Sequence, residues 1–256
     1  MHPLAARFPR IWIVNLPDRR DRRRDTAREL ARIGLHLEPG HVEFIEASRP
    51  DDRGDFPSVG ARGCFESHHS IVKRARELGL ERVLVLEDDV EFSAAPHDFA
   101  ELVAQLESRE PWDFAYFGHR VDVRAPDPND RWVRFRRGFD TTHCYALSAR
   151  VLPTLDAFLD GLRDRPPHHP DGGPMHVDGA YADFRCFHPD TITLLATPSV
   201  AHQRPTASDI HPGRLDSSAV PQPLISAARS IRSRLPRSRW PRSRWKGTGR
   251  SISTRR

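Results

Sequence analysis

The sequence predicts an α/β fold in which a mainly parallel sheet carries helices on both faces. Three observations support this prediction. Strand-like and helix-like segments alternate along the chain, the strand-like runs are short and apolar, and the helix-like segments repeat apolar residues at spacings of three and four. Because ligands bind such sheets beyond the carboxyl ends of the strands, the residues that follow the strands are the first candidates for a site.

The first two predicted strands enclose a charged helix. The apolar run 10–16 ends at a proline and predicts a buried strand, after which Asp18 is expected to cap a helix that Gly34 ends. Residues 41–47 predict the second strand. A loop rich in Asp, Pro and Gly follows at 48–63.

The middle of the chain contains an amphipathic helix and a strand that ends in acidic residues. From Cys64 to Leu78, apolar residues recur at helical spacings, and Gly79 is expected to close this helix. His69 lies off the apolar stripe and is expected at the surface. The segment 82–92 begins with the apolar run VLVL and then turns acidic, which predicts a central strand whose carboxyl end opens into a site.

The last third of the predicted fold contains two longer helices and several short strands. Apolar periodicity predicts a helix at 97–108 and another after Ser148, where Pro153 is expected to kink the helix or delay its start. Residues 177–184 predict one or two helical turns after a loop at 163–175. Further strands are predicted at 112–118, 132–135, 143–147 and 191–196.

Composition separates a globular body from a basic segment. With 38% hydrophobic and 29% charged residues, the 256-residue chain is too apolar for a disordered protein and too polar for a membrane bundle. The net charge is +5, but residues 221–256 contain ten arginines, Lys246 and no acidic residue, so they carry +11 and leave −6 for residues 1–220. We therefore predict a domain at 1–210 and a basic, Pro/Ser/Arg-rich tail at 211–256, which we expect to be disordered.

Cysteine usage and the start of the chain both predict a cytoplasmic protein. Cys64, Cys144 and Cys186 lie far apart and form no C-x-x-C pair, so we expect neither a disulfide framework nor a cysteine-rich zinc site. The first residues lack the apolar stretch and cleavage site of a signal peptide. No run approaches the roughly 18 apolar residues of a spanning helix.

Three adjacent carboxylates, Glu87, Asp88 and Asp89, follow the VLVL run directly. Such carboxylates repel one another unless a cation or solvent intervenes, so at a strand end they suit a hard divalent ion. An ion of this kind completes its shell with water and substrate phosphates, and as a Lewis acid it neutralises a departing diphosphate. The alternative is a solvated turn or helix start that binds no metal.

Several ordered motifs give the chain a resemblance to a known family. They are IWIVNLPDRRDRR, FIEA, GARGCFESHHSIVKRA, VLVLEDDV, WDFAYFG, HCYALSARVL, the aspartate of HVD, and a closing P-x-x-x-x-Q with SDI. In this order and spacing they resemble glycosyltransferase family 25, which includes bacterial lipopolysaccharide galactosyltransferases and collagen galactosyltransferases. The resemblance spans about residues 10–210.

The resemblance implies a GT-A-like, Rossmann-like fold and a metal-dependent hexosyltransferase. The reaction would move a sugar, usually galactose, from a UDP-sugar to a hydroxyl of a glycan or lipopolysaccharide-type acceptor, with inversion at the anomeric carbon. Glu87, Asp88 and Asp89 would hold Mn²⁺ or Mg²⁺ against the donor diphosphate. Because inversion is a single displacement, a carboxylate that binds no metal should take the acceptor proton. The candidates are Asp178, which matches the family's late aspartate, and Asp183, and each could instead cap a short helix.

Candidate donor-binding residues lie at two places. One is the junction of the first strand and first helix, which suits contacts with base, ribose or phosphate, although a merely exposed, charged helix start is the alternative. The other is the apolar helix that contains the family's Ser-His pair, where a core histidine bonded to backbone is the alternative. The donor-binding candidates are Asn15, Arg19, Arg22, Ser67, His68 and Asp88.

The basic tail suggests two different partners. Its arginines alternate with Ile231, Leu235, Trp240 and Trp245, a mixture that suits an anionic membrane surface and would place the protein peripherally at the inner face of the membrane. A plain disordered extension is the alternative. A second class of function, nucleic-acid or polyanion binding through the tail, is also open. The acidic body and the ordered motifs argue against nucleic acid as the partner.

Overall fold

The structure, a computed structural model, describes residues 1–95, 98–136 and 138–204. Within these ranges the chain forms six helices and nine strands. The helices are α1 (Pro3–Arg7), α2 (Arg20–Arg32), α3 (Val59–Glu77), α4 (Asp98–Ser108), α5 (Leu152–Asp164) and α6 (Val177–Phe187). The strands are β1 (Ile11–Asn15), β2 (Val42–Glu46), β3 (Arg82–Glu87), β4 (Val90–Phe92), β5 (Phe114–Tyr116), β6 (Trp132–Phe135), β7 (Cys144–Ser148), β8 (Thr193–Ala196) and β9 (Ala201–Gln203).

The main sheet contains seven strands in the order β2-β1-β3-β7-β5-β8-β6. Five strands run in one direction, because β1 pairs in parallel with β2 and β3, and β5 pairs in parallel with β8. The other two, β6 and β7, run the opposite way. The predicted α/β class with a mainly parallel sheet is confirmed. Because β7 is reversed, its first residues lie beside the carboxyl end of β3, with Cys144 opposite Leu86.

Helices cover both faces of this sheet, as predicted. The side chains of β3 alternate between the two faces. Leu84 and Leu86 enter the core beneath α1, α2 and α4. Val83 and Val85 enter the core beneath α3, α5 and α6. Each such side chain stabilises the fold by about 1.5–3 kcal/mol through burial, so the VLVL run holds the centre of the sheet in place from both sides.

The first long helix begins one residue later than predicted. Arg19, not Asp18, is the N-terminal cap position of α2. Asp18 instead accepts a 2.6 Å hydrogen bond from Arg49 in the loop after β2. Gly34 follows the helix with a φ of +80°, a left-handed conformation that glycine adopts without strain, and this agrees with the predicted stop.

The third helix starts inside the segment predicted to be a loop at 48–63. Ser58 caps it, because its hydroxyl oxygen accepts a hydrogen bond from the Ala61 backbone N–H at 3.0 Å. The apolar repeat begins only near Cys64, so periodicity did not reveal this first turn. The consequence is that the Gly-rich start of α3 faces the strand ends.

Two later helices also differ from the predictions. Pro153 lies in the first turn of α5, where its missing N–H has no helical partner to lose, so it sets the helix start and causes no kink. Helix α6 is longer than the one or two turns predicted for 177–184. The short elements α1 and β9 were not predicted, because neither is long enough to show a clear period.

The segment 82–92 is two strands separated by the turn at Asp88 and Asp89. The second of them, β4, leaves the main sheet and pairs with β9 in antiparallel fashion, with Val90 opposite Gln203. This pairing brings the end of the described chain back to the acidic turn. Gln203, which is 114 positions from Asp89 in the sequence, therefore closes one side of the candidate site.

Residues 205–256 lie outside the described part of the chain. The predicted boundary at 210/211, the predicted disorder of the tail, and its proposed membrane or polyanion contacts all fall there and stay predictions. Among the residues that the structure does describe, no helix combines the length and apolarity needed to span a membrane.

Candidate active site

Asp88 connects the first strand, the helix after it and the acidic turn. Its Oδ2 accepts a hydrogen bond from Asn15 Nδ2 at 2.8 Å, and its Oδ1 accepts one from Arg22 at 2.7 Å. Its backbone carbonyl accepts another from the Thr26 hydroxyl at 2.6 Å. Both carboxylate oxygens are thus used within the protein. Asp88 therefore anchors two donor-binding candidates, and its predicted role as a metal ligand stays a prediction.

Glu87 ends β3 and faces the start of the reversed strand β7. Its Oε1 accepts a 2.6 Å hydrogen bond from the Thr142 hydroxyl, and Gln203 Nε2 approaches its Oε2 at 3.4 Å. Burial alone would raise the pKa of Glu87, but the interaction with His68 and the bond from Thr142 outweigh it and lower the pKa to about 2. Glu87 is therefore ionised at neutral pH.

Asp89 is the carboxylate of the triplet with an open ligand atom. Its Oδ2 is approached by Gln203 Nε2 at 3.3 Å, but its buried Oδ1 has no hydrogen-bond partner within the described structure. Burial raises the pKa of Asp89 to about 7, and the negative charge of Glu87 adds to this effect. A bound cation would remove both penalties, so Asp89 is the strongest metal-ligand candidate of the three.

His68 lies at the boundary between the apolar core and the site. Its side chain is fully buried, as its place on the apolar face of α3 predicts. Its Nδ1 is hydrogen-bonded to the Tyr145 hydroxyl at 2.7 Å, and that hydroxyl is 3.1 Å from the Tyr181 hydroxyl. Its Nε2 faces Glu87 Oε1 at 3.6 Å. His68 is thus a core residue that also lines the cavity at the strand ends.

Small residues bring the start of α3 against the loop after β2. The Ser67 hydroxyl accepts a hydrogen bond from the Ser48 N–H at 2.8 Å and donates one to the Gly63 carbonyl at 2.6 Å. A Cβ on Gly63 would lie 2.7 Å from the Ser48 carbonyl oxygen, so no larger residue fits there without movement. The Ser67 hydroxyl therefore joins the loop after β2 to the first turns of α3.

Cys64 adds a thiol to the same wall. It is half-buried and lines the cavity between α3 and the strand ends. Burial raises the pKa of the Cys64 thiol, and the negative charges of Glu87, Asp178 and Asp89 raise it further. At neutral pH this cysteine is a protonated thiol, which makes it a poor nucleophile.

A cavity of about 330 Å³ lies at this edge of the sheet. Its volume is at the lower end of the range usual for small-molecule sites. Arg19 is not among its lining residues, and its side chain pairs with Asp21 at the start of α2. Arg49, Cys64 and Gln203 do line it, although no sequence motif marked them as site residues. The cavity brings together seven predicted site residues: Asn15, Arg22, Ser67, His68, Glu87, Asp88 and Asp89.

The two candidate bases lie on α6, outside the lining of this cavity. Asp178 is in the first turn of the helix and is half-buried. It lies within electrostatic reach of the cavity, because its charge acts on the Cys64 thiol. Asp183 is one turn further along the helix, where burial and then the negative charge of Asp140 raise its pKa. The position of Asp178 agrees better with the predicted role, which stays a prediction.

His69 is buried, and the expectation that it lies at the surface was wrong. Helix α5 packs over this side of α3, and His69 Nε2 is 2.9 Å from Asp156 Oδ1. Asp160 and Lys73 complete the cluster with a 3.0 Å ion pair. The burial lowers the pKa of His69. The apolar periodicity of α3 alone could not show that α5 covers the side of α3 on which His69 lies.

The fold and these residues define an α/β protein with a carboxylate-lined cleft at the ends of its strands. The model of the family described as glycosyltransferase family 25 (LPS biosynthesis protein) matches residues 8–145. Because this match covers more than half of the chain, the protein belongs to glycosyltransferase family 25. The family inferred from the motifs is thereby confirmed.

Three relatives are each similar over less than half of this chain. Procollagen galactosyltransferase 2 from Homo sapiens is 28% identical in an alignment of 155 residues that covers 49% of this chain and 23% of that protein. A glycosyltransferase 25 family member from Aedes aegypti is 34% identical over 109 residues, 41% of this chain and 16% of that protein. A probable inactive glycosyltransferase 25 family member 3 from Bos taurus is 27% identical over 136 residues, 46% of this chain and 23% of that protein. The similar region thus spans less than a quarter of each of these relatives.

One solved structure is similar over a larger share of the chain. It is the crystal structure of a glycosyltransferase involved in the glycosylation of the major capsid of PBCV-1. The similarity covers 74% of this chain and 94% of that one, with 15% sequence identity and a TM-score of 0.37.

Proposed function

We propose that this chain is a metal-dependent, inverting galactosyltransferase that uses a UDP-sugar and acts on a hydroxyl of a glycan or lipopolysaccharide-type acceptor. Family membership supports sugar transfer as the reaction class. The single observation that supports the metal-dependent form is the open Oδ1 of Asp89 in the cavity at the strand ends. A buried carboxylate oxygen without a partner is costly in a folded protein and is expected to have a ligand.

The residues present fit a hard dication such as Mn²⁺ or Mg²⁺. Asp89 would bind it through Oδ1, with Glu87 beside it, while Asp88 stays bonded to Asn15 and Arg22. When bound, the ion would supply Lewis-acid neutralisation of the diphosphate that leaves with the nucleotide. Oxygen ligands from one or two carboxylates are typical of such ions, because water and phosphate oxygens fill the other positions.

Positive side chains at the cavity suit the donor diphosphate. Arg22 lines the cavity, and its contact with Asp88 fixes the guanidinium at the end of β1 and β3. Arg49 lines the same cavity and is exposed, so it can reach a phosphate that enters from solvent. Arg22 would therefore hold a preset position, and Arg49 would close on the donor after binding.

The acceptor hydroxyl needs a base on the face opposite the leaving diphosphate. We assign this role to Asp178, which would accept the hydroxyl proton as the oxygen attacks the anomeric carbon. Its half-buried position in the first turn of α6 leaves its carboxylate accessible. Asp183 is the second choice.

The proposal is tested by UDP release from a panel of UDP-sugars, with and without Mn²⁺, using the full chain. We expect release with UDP-galactose that depends on the metal, and a fall of roughly 100-fold or more in Asp89→Asn, because the charge stabilisation is worth several kcal/mol. Glu91→Gln is the matched control, since it removes an exposed carboxylate two residues away. Absence of release with every donor, or an Asp89→Asn protein with normal metal-dependent turnover, would contradict the proposal.

A further inference from the structure

Cys64, His68 and Glu87 form a compact set of metal-ligand side chains. The Cys64 sulfur, a His68 ring nitrogen and a Glu87 carboxylate oxygen all lie within 4.8 Å of one another. Cys64 and His68 are four residues apart on α3, so they lie on the same face of the helix, one turn from each other. Glu87 approaches them from the end of β3. All three residues line the cavity, which gives an ion a path from solvent.

The His68 ring is held with one nitrogen unsatisfied. The side chain is fully buried, and its Nε2 has no hydrogen-bond partner within the described residues. The 3.6 Å separation from Glu87 Oε1 is too long for a hydrogen bond. On the other side, Nδ1 is fixed by the Tyr145 hydroxyl at 2.7 Å. When Nδ1–H donates to that oxygen, the lone pair of Nε2 points toward the other two ligands, which is the arrangement found in metal-binding histidines.

A second cluster of similar residues shows what a site without room for a cation looks like. His69, Asp156 and Asp160 are equally close to one another. There, however, Arg76 contacts Asp156 at 2.5 Å and Lys73 contacts Asp160 at 3.0 Å. Both carboxylates are thus already neutralised, and a metal ion would have to displace the basic side chains. That cluster is an ion-pair network between α3 and α5.

Glu87, by contrast, has no lysine or arginine partner among the described residues. Within the described residues, its carboxylate meets the Thr142 hydroxyl, the Gln203 amide and the His68 ring. Thiolate and imidazole ligands favour Zn²⁺, whereas Mg²⁺ and Mn²⁺ favour oxygen ligands. One carboxylate and one thiolate together balance the charge of Zn²⁺. We propose that Cys64, His68 and Glu87 bind a thiophilic divalent ion, Zn²⁺, with a water molecule or substrate group in the fourth position.

This zinc site goes beyond the proposed transfer reaction, because its ligands differ from the hard-ion position at Asp89. The two positions share Glu87, so an ion at Cys64 would compete with a hard dication for that carboxylate. Cys64 would lose its proton to solvent on binding, as thiol ligands do. No sugar donor takes part, so the site can be tested whether or not the transfer reaction is correct.

The experiment uses the full chain without an affinity tag, stripped of metal and kept reduced. Co²⁺ replaces Zn²⁺ as a spectroscopic probe, because a cobalt–thiolate bond gives a near-ultraviolet charge-transfer band. The chain has three cysteines, Cys64, Cys144 and Cys186, so a variant can identify the source of the band. We expect the wild type to bind one Co²⁺ per chain and to show a charge-transfer band. Zn²⁺ should displace the Co²⁺ and abolish the band.

The variants separate a specific site from general thiol binding. In Cys64→Ser the band should vanish and Zn²⁺ affinity should fall by more than about tenfold, whereas Cys186→Ser, which removes an exposed thiol, should behave as wild type. Tyr145→Phe should weaken Zn²⁺ about 10- to 100-fold, because the ring loses its orienting hydroxyl. Thermal melts confirm that each variant is folded. No band in the wild type, or a band that persists in Cys64→Ser, would overturn the proposal.

Discussion

Asn15 and Asp88, which are 73 residues apart in the chain, are joined by a 2.8 Å hydrogen bond between Nδ2 and Oδ2. Each follows or ends a strand of the parallel part of the sheet, so the bond forms at the carboxyl edge where β1 and β3 lie side by side. Arg22 occupies the other oxygen of the same carboxylate. Asp88 therefore sets the positions of two donor-binding candidates at once.

Replacing Asp88 with Asn should weaken both the fold and donor binding. The change removes the negative charge that Arg22 contacts in a mostly buried setting, and we expect a loss of about 3 kcal/mol in the free energy of unfolding. Urea denaturation measures this loss, and calorimetric titration with UDP should show reduced affinity. Asp164→Asn, at an exposed position distant from the site, is the control for the loss of one carboxylate. Equal stability of the two variants would refute the anchoring role.

Asparagine variants of the two candidate bases, Asp178 and Asp183, can distinguish between them. Asp178→Asn should reduce kcat by roughly 100-fold or more with UDP and metal affinity unchanged, because proton removal contributes about that factor. Asp183→Asn should retain most of the activity. Steady-state kinetics and UDP titration of both proteins give the answer. The opposite pattern would move the assignment to Asp183.

His143 should make stability depend on pH. Burial lowers the pKa of His143 to about 4, against about 6.5 in the unfolded chain. Between these values the unfolded state binds a proton that the folded state does not, so stability falls as the pH drops from 6.5 to 4 and levels off below that. At pH 4.5, protonation of His143 in the unfolded chain should lower the free energy of unfolding by about 2–3 kcal/mol relative to pH 7.

The matched experiment compares unfolding at pH 7 and pH 4.5 in three proteins. In His143→Gln, the difference in the free energy of unfolding between pH 7 and pH 4.5 should be smaller than in the wild type by about 2–3 kcal/mol. His168→Gln, which changes an exposed histidine, should keep the full wild-type difference. If both variants keep it, protonation of His143 is not the cause.

Gly118 should not accept a side chain. A Cβ at this position would overlap His143 Nε2 and lie 2.9 Å from the Ala201 carbonyl oxygen, to which that nitrogen is hydrogen-bonded. We expect Gly118→Ala to cost about 1–3 kcal/mol through overpacking, measured by chemical denaturation. Gly138→Ala is the control, because among the described residues its Cβ would meet the Ala182 side chain at an ordinary 3.6 Å. A Gly118→Ala protein as stable as the control would show that the strand ends can move apart.

The sequence was informative wherever a local pattern repeats over several residues. The VLVL run predicted a central strand, and the spacing from Cys64 to Leu78 predicted the long helix with His68 on its apolar face. The family followed from the order of the motifs. The strand pattern also placed Asn15 and the acidic triplet at one edge of the sheet, because the carboxyl ends of parallel strands lie at the same edge.

Contacts between distant segments could not be predicted in this way. Thr142 reaches Glu87 because β7 is antiparallel, and the direction of a strand leaves no mark on its apolar pattern. Gln203 reaches Asp89 through the pairing of two three-residue strands, which are too short to show a period. His69 is covered by α5, although its own helix predicts exposure.

The sequence by itself determined the α/β class, the family and the identity of the acidic cluster. The tertiary structure decided which partners each carboxylate meets. Asp88 accepts hydrogen bonds from Asn15 and Arg22, Glu87 is held ionised, and Asp89 has a buried oxygen without a partner among the described residues. Three adjacent acidic residues look alike in a sequence because their chemistry is the same. They differ in the folded protein because each one points in a different direction and meets different partners, and partners brought by distant segments set charge and availability.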